Sequence, residues 1–198
     1  MLNDITQRNQ PMTESAKRTD FRVAAIQMAS GPSVSANLEE AARLIEDAVS
    51  QKAKLVVLPE YFCIMGMKDT DKLAVREEPG HGQIQKFLSD TAKRLGIWLV
   101  GGSVPLASSE SDKVYNSCLV YADNGEQVAR YDKIHLFGLQ LGNEHYAEEK
   151  TIKAGNEVVA VDSPFGRIGL SICYDLRFPE LFRMMNNIDI ILAPAAFT

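Results

Sequence analysis

The first half of the chain alternates short apolar runs with segments whose apolar residues recur every three or four positions. Apolar and β-branched runs are typical of strands and lie at 21–28, 53–58 and 97–100. Helical spacing links two sets, which are Leu38, Ala41, Ala42, Ile45, Ala48, Val49 and Ile84, Phe87, Leu88, Thr91, Ala92, Leu95. Ser35 or Asn37 is expected to cap the first helix, and Gly96 is expected to end the second. Strands that alternate with helices predict an α/β architecture.

The second half of the chain changes to hairpin patterns. One hairpin is predicted over 115–131 around the turn Asp123-Asn124-Gly125, and another over 157–172 around 163–166. A short helix and a buried strand are predicted to follow, at 179–185 and 188–192. Polar stretches without clear periodicity are expected to be loops, at 69–82 and 138–155.

Length and composition fit one globular domain. The chain has 198 residues, of which 45% are hydrophobic and 24% charged. Its 21 basic and 26 acidic side chains give a net charge of −5, which disfavours a nucleic-acid partner. No apolar stretch reaches the length of a membrane span, so no membrane partner is expected. Residues 1–20 are polar, do not resemble a secretory signal and are expected to form a flexible lead-in.

The cysteines and histidines give no sign of a disulfide or a metal site. Cys63, Cys118 and Cys173 are odd in number and widely spaced, without a Cys-x-x-Cys pair. This usage favours a reducing cytoplasm. The three histidines lack metal-ligand spacing, so no metal is expected.

Three polar residues follow predicted strands, where ligands bind in α/β folds. Cys173 ends one apolar strand, Glu60 follows another, and Lys133 follows the second strand of the first hairpin. In isolation each has a commoner interpretation: a buried cysteine, a solvated loop glutamate and a surface lysine. Their shared position at three strand ends favours a nucleophile with an acid–base partner.

Three motifs in order resemble those of the nitrilase, or carbon–nitrogen hydrolase, superfamily. They are a glutamate motif at 58–60, a lysine motif at 131–137 and a cysteine motif at 171–180. The resemblance runs from about Phe21 to the end of the chain. It implies an α/β fold in the form of a four-layer α-β-β-α sandwich. No cofactor or metal is implied.

The resemblance also assigns roles to individual residues. Cys173 would be the nucleophile, Glu60 the general base and Lys133 the cation that stabilises the tetrahedral intermediate. A second glutamate of the family matches Glu148 best, with Glu149 one residue away. The backbone N–H of Tyr174 would complete the oxyanion site.

The cysteine and glutamate motifs are more similar to Nit-type amidases than to true nitrilases. Such amidases act on small carboxamides that carry a carboxylate, which Arg177 could bind; an equally good interpretation of Arg177 is a salt bridge that holds the turn. The expected activity is hydrolysis of a small amide through a cysteine acyl-enzyme, with release of ammonia. The resemblance also implies a homo-oligomer, a dimer if the full domain is present.

Two other hypotheses stay open at this point. One is a non-catalytic binding or assembly protein with the same fold, and the other is a catalytically incompetent fragment. The chain ends on the apolar run 190–198, whereas chains of the family continue past the matching segment. Residues 21–198 are therefore expected to be a hydrolase domain that lacks its C-terminal part.

Overall fold

The computed structural model describes residues 20–141 and 144–196. Most of the predicted lead-in, at 1–19, and the terminal Phe197 and Thr198 lie outside these residues. Within them are four helices and eleven strands. The helices are α1 (Val34–Ser50), α2 (Asp71–Ala74), α3 (Gln83–Leu95) and α4 (Pro179–Met184). The strands are β1 (Arg22–Ala25), β2 (Ala53–Val57), β3 (Trp98–Val100), β4 (Val104–Ala107), β5 (Val114–Tyr121), β6 (Gln127–Asp132), β7 (Gly138–Leu141), β8 (Glu144–Ala147), β9 (Ala160–Ser163), β10 (Gly166–Leu170) and β11 (Ile190–Leu192).

The strands form two principal sheets and a separate hairpin. In the first sheet β1, β2 and β3 run parallel, and β5 pairs antiparallel with β3, β4 and β6. The second sheet has the order β11-β10-β9, with β10 and β11 parallel, and β7 pairs with β8. Because β6 is antiparallel to β5 and β5 to β3, β6 runs in the direction of β2. The carboxyl ends of β2 and β6 therefore lie at one edge of the first sheet.

Alternating side chains of the first sheet fill two separate cores. Val56 and Leu99 face one way and pack with α1 and α3, whereas Leu55 and Val100 face the other way and pack against the second sheet. Met185, just after α4, contacts the Gly169 position of β10. Gly169 alternates with core residues of β10, so α4 covers the outer face of the second sheet. The layers are thus helix, sheet, sheet and helix, as in the predicted sandwich.

The start of α1 differs from the prediction. The cap is Ser33, whose hydroxyl accepts a hydrogen bond from the Ala36 N–H at 3.4 Å. Asn37 is instead buried in α1, where its amide donates to the carbonyl oxygens of Gly31 (2.8 Å) and Cys63 (2.9 Å). The prediction of Ser35 or Asn37 as the cap was wrong. The Asn37 side chain is instead buried, where its hydrogen bonds join the segments that contain Gly31 and Cys63. Gly96 ends α3 in the left-handed conformation, as predicted.

Candidate active site

The predicted base and lysine meet at the shared edge of the first sheet. Glu60 lies three residues beyond β2, and Lys133 directly follows β6. The Lys133 Nζ lies 3.1 Å from Glu60 Oε1, and both side chains are buried, with 1–2% exposed. An ammonium taken out of water needs such a partner, since an unpaired buried charge is strongly destabilising.

The structure places Glu148, the glutamate predicted for the second acidic position, beside Lys133. Its carboxylate oxygens lie 3.1 Å and 2.9 Å from Lys133 Nζ, and Glu148 is buried whereas Glu149 is exposed. Burial alone would lower the pKa of Lys133, but the Glu60 and Glu148 carboxylates outweigh it and raise that pKa. Lys133 is therefore held as an ammonium between two carboxylates.

Backbone and side-chain donors fix the two carboxylates. Glu60 accepts from the Asn116 amide on Oε1 and from the Ala196 N–H on Oε2, each at 2.9 Å. Glu148 accepts from the Phe137 N–H at 2.8 Å and from the Tyr61 hydroxyl at 3.2 Å. With these partners each carboxylate has little freedom to rotate.

The loop that carries Glu60 is held by a close approach of two chain segments. A side chain at Gly102 would overlap the carbonyl oxygen of Pro59, so only glycine fits this position. The next residue, Ser103, accepts a hydrogen bond from the Tyr61 N–H at 2.9 Å. Tyr61 itself has a φ of 53°, an uncommon left-handed conformation for a non-glycine residue.

Cys173 also adopts the left-handed region, with φ 48°, in a turn that follows β10. Its N–H donates to the Pro194 carbonyl oxygen at 2.9 Å, so the segment after β11 supports the turn. The side chain is half-buried and interacts with Glu60. Backbone strain of this kind is maintained only where the surrounding contacts over-determine it, as they do at many functional sites.

The Cys173 thiol is in its protonated form at neutral pH. Burial, followed by the Glu60 carboxylate, raises its pKa to about 11, although the Lys133 ammonium and the Ala196 N–H act in the opposite direction. A thiol with such a pKa needs a base in order to act as a nucleophile. The Glu60 carboxylate is close enough to interact with this thiol.

A buried carboxylate that the sequence analysis missed connects the cysteine turn to the lysine segment. Asp175 accepts from the Tyr131 hydroxyl at 2.7 Å, the Ile172 N–H at 2.9 Å and the His135 N–H at 3.0 Å. The His135 ring lies 2.7 Å from the same carboxylate through Nδ1 and stacks on Phe178. Tyr131, His135 and Asp175 all lie within the lysine and cysteine motifs, so the signal was present.

The remaining predicted residues lie near the turn. Tyr174 follows Cys173 directly, and its ring packs edge-on against Phe137 and Phe178. Arg177 is exposed to solvent. Asn116, also missed, stands with Ser117 between the apolar residues of β5, and such a polar position in a buried strand is the signal that could have found it. Across residues 20–141 and 144–196, no group of three histidine, cysteine or acidic side chains is placed to hold a metal ion.

Comparison with known proteins identifies the family. The sequence model of the carbon–nitrogen hydrolase family matches residues 22–196, and the chain belongs to this family. It is 40% identical over 185 residues to a deaminated glutathione amidase of Synechocystis, a match that covers 90% of this chain and 67% of that protein. It is 37% identical over 183 residues to the human omega-amidase NIT2, with 90% and 64% covered.

Solved structures agree with this membership. Saccharomyces cerevisiae Nit3, a member of branch 10 of the nitrilase superfamily, superposes with a TM-score of 0.74 at 32% identity. That match covers 85% of this chain and 61% of Nit3. The C. elegans NitFhit protein gives a TM-score of 0.76 at 33% identity, with 89% and 44% covered. The chain thus spans two thirds or less of the length of these relatives.

Proposed function

We propose that this protein hydrolyses the C–N bond of a small carboxamide through a cysteine acyl-enzyme and releases ammonia. The observation that carries the proposal is the buried Lys133 ammonium, 3.1 Å from Glu60 and 2.9 Å from Glu148, beside the Cys173 thiol. Similarity to proteins named deaminated glutathione amidase and omega-amidase supports a small amide as substrate.

Acylation begins with transfer of the thiol proton from Cys173 to Glu60 as sulfur attacks the amide carbon. The carbonyl oxygen gains negative charge, which the Lys133 ammonium and the Tyr174 N–H stabilise. Lys133 makes two contacts to Glu148, so it exchanges one of them for the developing oxyanion. Glu60 then gives its proton to the amide nitrogen, the C–N bond breaks and ammonia leaves.

Deacylation repeats the same proton transfers with water as the nucleophile. Glu60 takes a proton from water as the oxygen attacks the thioester carbon. The tetrahedral intermediate collapses, the C–S bond breaks and the sulfur of Cys173 recovers the proton from Glu60. Glu148 keeps Lys133 charged in both half-reactions, since its carboxylate raises the pKa of the ammonium.

Ammonia release and a trapped thioester test this mechanism together. The parent chain is expected to release ammonia from small ω-amides, and rapid quenching followed by mass spectrometry should find the acyl group on the peptide that contains Cys173. Cys173→Ala should abolish both signals. Cys118→Ala is the matched control, because Cys118 is a buried thiol in β5, outside the cysteine motif. Neither signal in the parent chain would favour a non-catalytic binding protein, and unchanged turnover in Cys173→Ala would refute the nucleophile.

Three broader assignments accompany this function. Residues 21–198 belong to one carbon–nitrogen hydrolase domain, which the family match over 22–196 supports. A cytoplasmic location is supported by the free thiols of Cys63, Cys118 and Cys173. None of the helices within residues 20–141 and 144–196 has the length and apolar character of a membrane span.

We also propose that the protein forms a homo-oligomer, a dimer when the full domain is present. Two exposed apolar side chains, Leu176 in the cysteine turn and Met184 in α4, support an interface between copies of the chain. Light scattering should therefore give twice the mass of the chain, and a concentration-independent monomer would contradict the assignment.

A further inference from the structure

A second lysine lies close to the catalytic charges without belonging to the three motifs. Lys72 is in α2, and its half-buried ammonium lies 5.3 Å from the ring centre of Tyr61. The same ring presents its hydroxyl to Glu148 at 3.2 Å and is buried. Tyr61 therefore separates Lys72 from the carboxylates that hold Lys133.

The electrostatics place Lys72 within range of the catalytic residues. Burial lowers the pKa of Lys72, and the Lys133 ammonium acts in the same direction, whereas Asp69, Glu148 and Glu60 partly offset both. Among the described residues Lys72 forms no ion pair of 4.0 Å or less, and the ring of Tyr61 is its aromatic neighbour. An aromatic face compensates a partly desolvated ammonium only in part, which leaves Lys72 suited to an anion.

The charge of the site itself shows why such a cation matters. Glu60, Glu148 and Lys133, when all are ionised, leave one uncompensated negative charge. This charge would repel a substrate that brings a carboxylate of its own to these partly desolvated residues. The Lys72 ammonium would balance the net negative charge of Glu60, Glu148 and Lys133.

We propose that Lys72 binds the remote carboxylate of an ω-amide acid and so selects acidic amides over neutral ones. The inference rests on the proposed amidase function and deepens it. Arg177, which the sequence analysis suggested for this role, is exposed, whereas Lys72 is half-buried against a residue of the site. A carboxylate gains more binding free energy from a partly buried ammonium than from a cation at the surface.

The test measures binding in the Cys173→Ala variant, where no turnover occurs. Isothermal titration calorimetry compares succinamate, the monoamide of succinic acid, with succinamide, its uncharged diamide of nearly equal shape. Adding Lys72→Met should raise the Kd of succinamate by about tenfold or more and change the Kd of succinamide by less than about twofold. Lys72→Arg should restore succinamate binding, since it keeps the charge.

Two further variants serve as controls. Lys68→Met removes an exposed cation from the same segment and should leave both affinities unchanged. Arg177→Met should also leave the preference for succinamate intact. The inference is overturned if Lys72→Met weakens both ligands equally, if it weakens neither, if the parent background binds neither, or if Arg177→Met alone removes the preference.

Failure of the inference and failure of the proposed function give different results. Ammonia release from both amides, without any effect of Lys72→Met on their ratio of kcat/KM, would keep the amidase and reject the subsite. Succinamate binding that depends on Lys72, in a chain that releases no ammonia, would keep the subsite and reject the amidase.

Discussion

The Tyr131 hydroxyl donates a 2.7 Å hydrogen bond to Asp175, across two sheets of the sandwich. Tyr131 lies in β6, two residues before Lys133, and Asp175 lies two residues after Cys173. Because Asp175 also accepts from His135 and Ile172, this one carboxylate fixes the cysteine turn relative to the lysine segment.

Asp175→Asn should therefore impair both activity and folding. The Asn side-chain amide has one accepting oxygen, and its NH2 group would face an N–H or O–H that now donates to Asp175. At least one of these buried donors therefore loses its partner. We expect the free energy of unfolding to fall by about 1–3 kcal/mol in urea titrations. We also expect the loss in kcat to be larger than the change in KM, since the variant displaces Cys173, the proposed nucleophile.

Asp162→Asn is the control for that substitution. Asp162 pairs with Arg167 at the surface, where its side chain is 80% exposed, and its loss should leave both measurements unchanged. Wild-type kcat in a folded Asp175→Asn variant would show that the turn does not depend on this carboxylate.

Lys133→Met should destabilise the protein in a way that depends on pH. Methionine nearly preserves the volume but leaves two buried carboxylates unpaired, at an expected cost of about 3–5 kcal/mol near pH 7. Because the carboxylates raise the pKa of Lys133, its ammonium stabilises the folded parent fully below the ordinary lysine pKa, and this contribution is lost as pH rises through the raised value. The deficit of the variant relative to the parent should therefore be full near neutral pH and shrink at strongly alkaline pH. Urea unfolding at several pH values measures this, and a deficit independent of pH would contradict the electrostatic explanation.

The thiol chemistry of Cys173 gives a prediction about pH. With a pKa near 11, raised by burial and then by Glu60, its alkylation by iodoacetamide should be slow at pH 7 and still rising at pH 10. Glu60→Gln removes one cause of the raised pKa, so alkylation should become faster at a given pH while amide turnover is lost. Peptide mass spectrometry separates Cys173 from Cys63 and Cys118, which should stay unmodified because both are buried.

Much of the fold could be predicted because long elements carry their own periodicity. The segments around α1 and α3 were predicted from apolar spacing, and the turn at Gly125 from its residue types. The loop prediction at 69–82 missed α2, which has only four residues and thus no measurable period. The prediction at 138–155 missed the β7–β8 hairpin, because pairing rather than alternation defines it.

The candidate site shows the same division between local pattern and spatial arrangement. Glu60, Lys133 and Cys173 stand in motifs and at strand ends, so their proximity could be predicted. Asn116 and the N–H of Ala196 reach Glu60 from distant parts of the sequence, and only the packing of the sheets reveals these contacts. The choice between Glu148 and Glu149 likewise depends on which carboxylate is buried.

Glu148 and Glu149 can be tested with a matched pair of variants. Glu148→Gln keeps the volume but removes a carboxylate that raises the pKa of Lys133 and lies 2.9 Å from its Nζ. The ammonium should become less basic and less well oriented, and kcat should fall by about a hundredfold or more, the scale expected for a lost electrostatic contact in a site of this kind. Glu149→Gln, one residue along the same turn, removes an exposed carboxylate and should leave kcat unchanged. The rate of ammonia release is measured for both variants. Equal losses of kcat would mean that negative charge near the turn, rather than the contact of Glu148 with Lys133, supports the reaction.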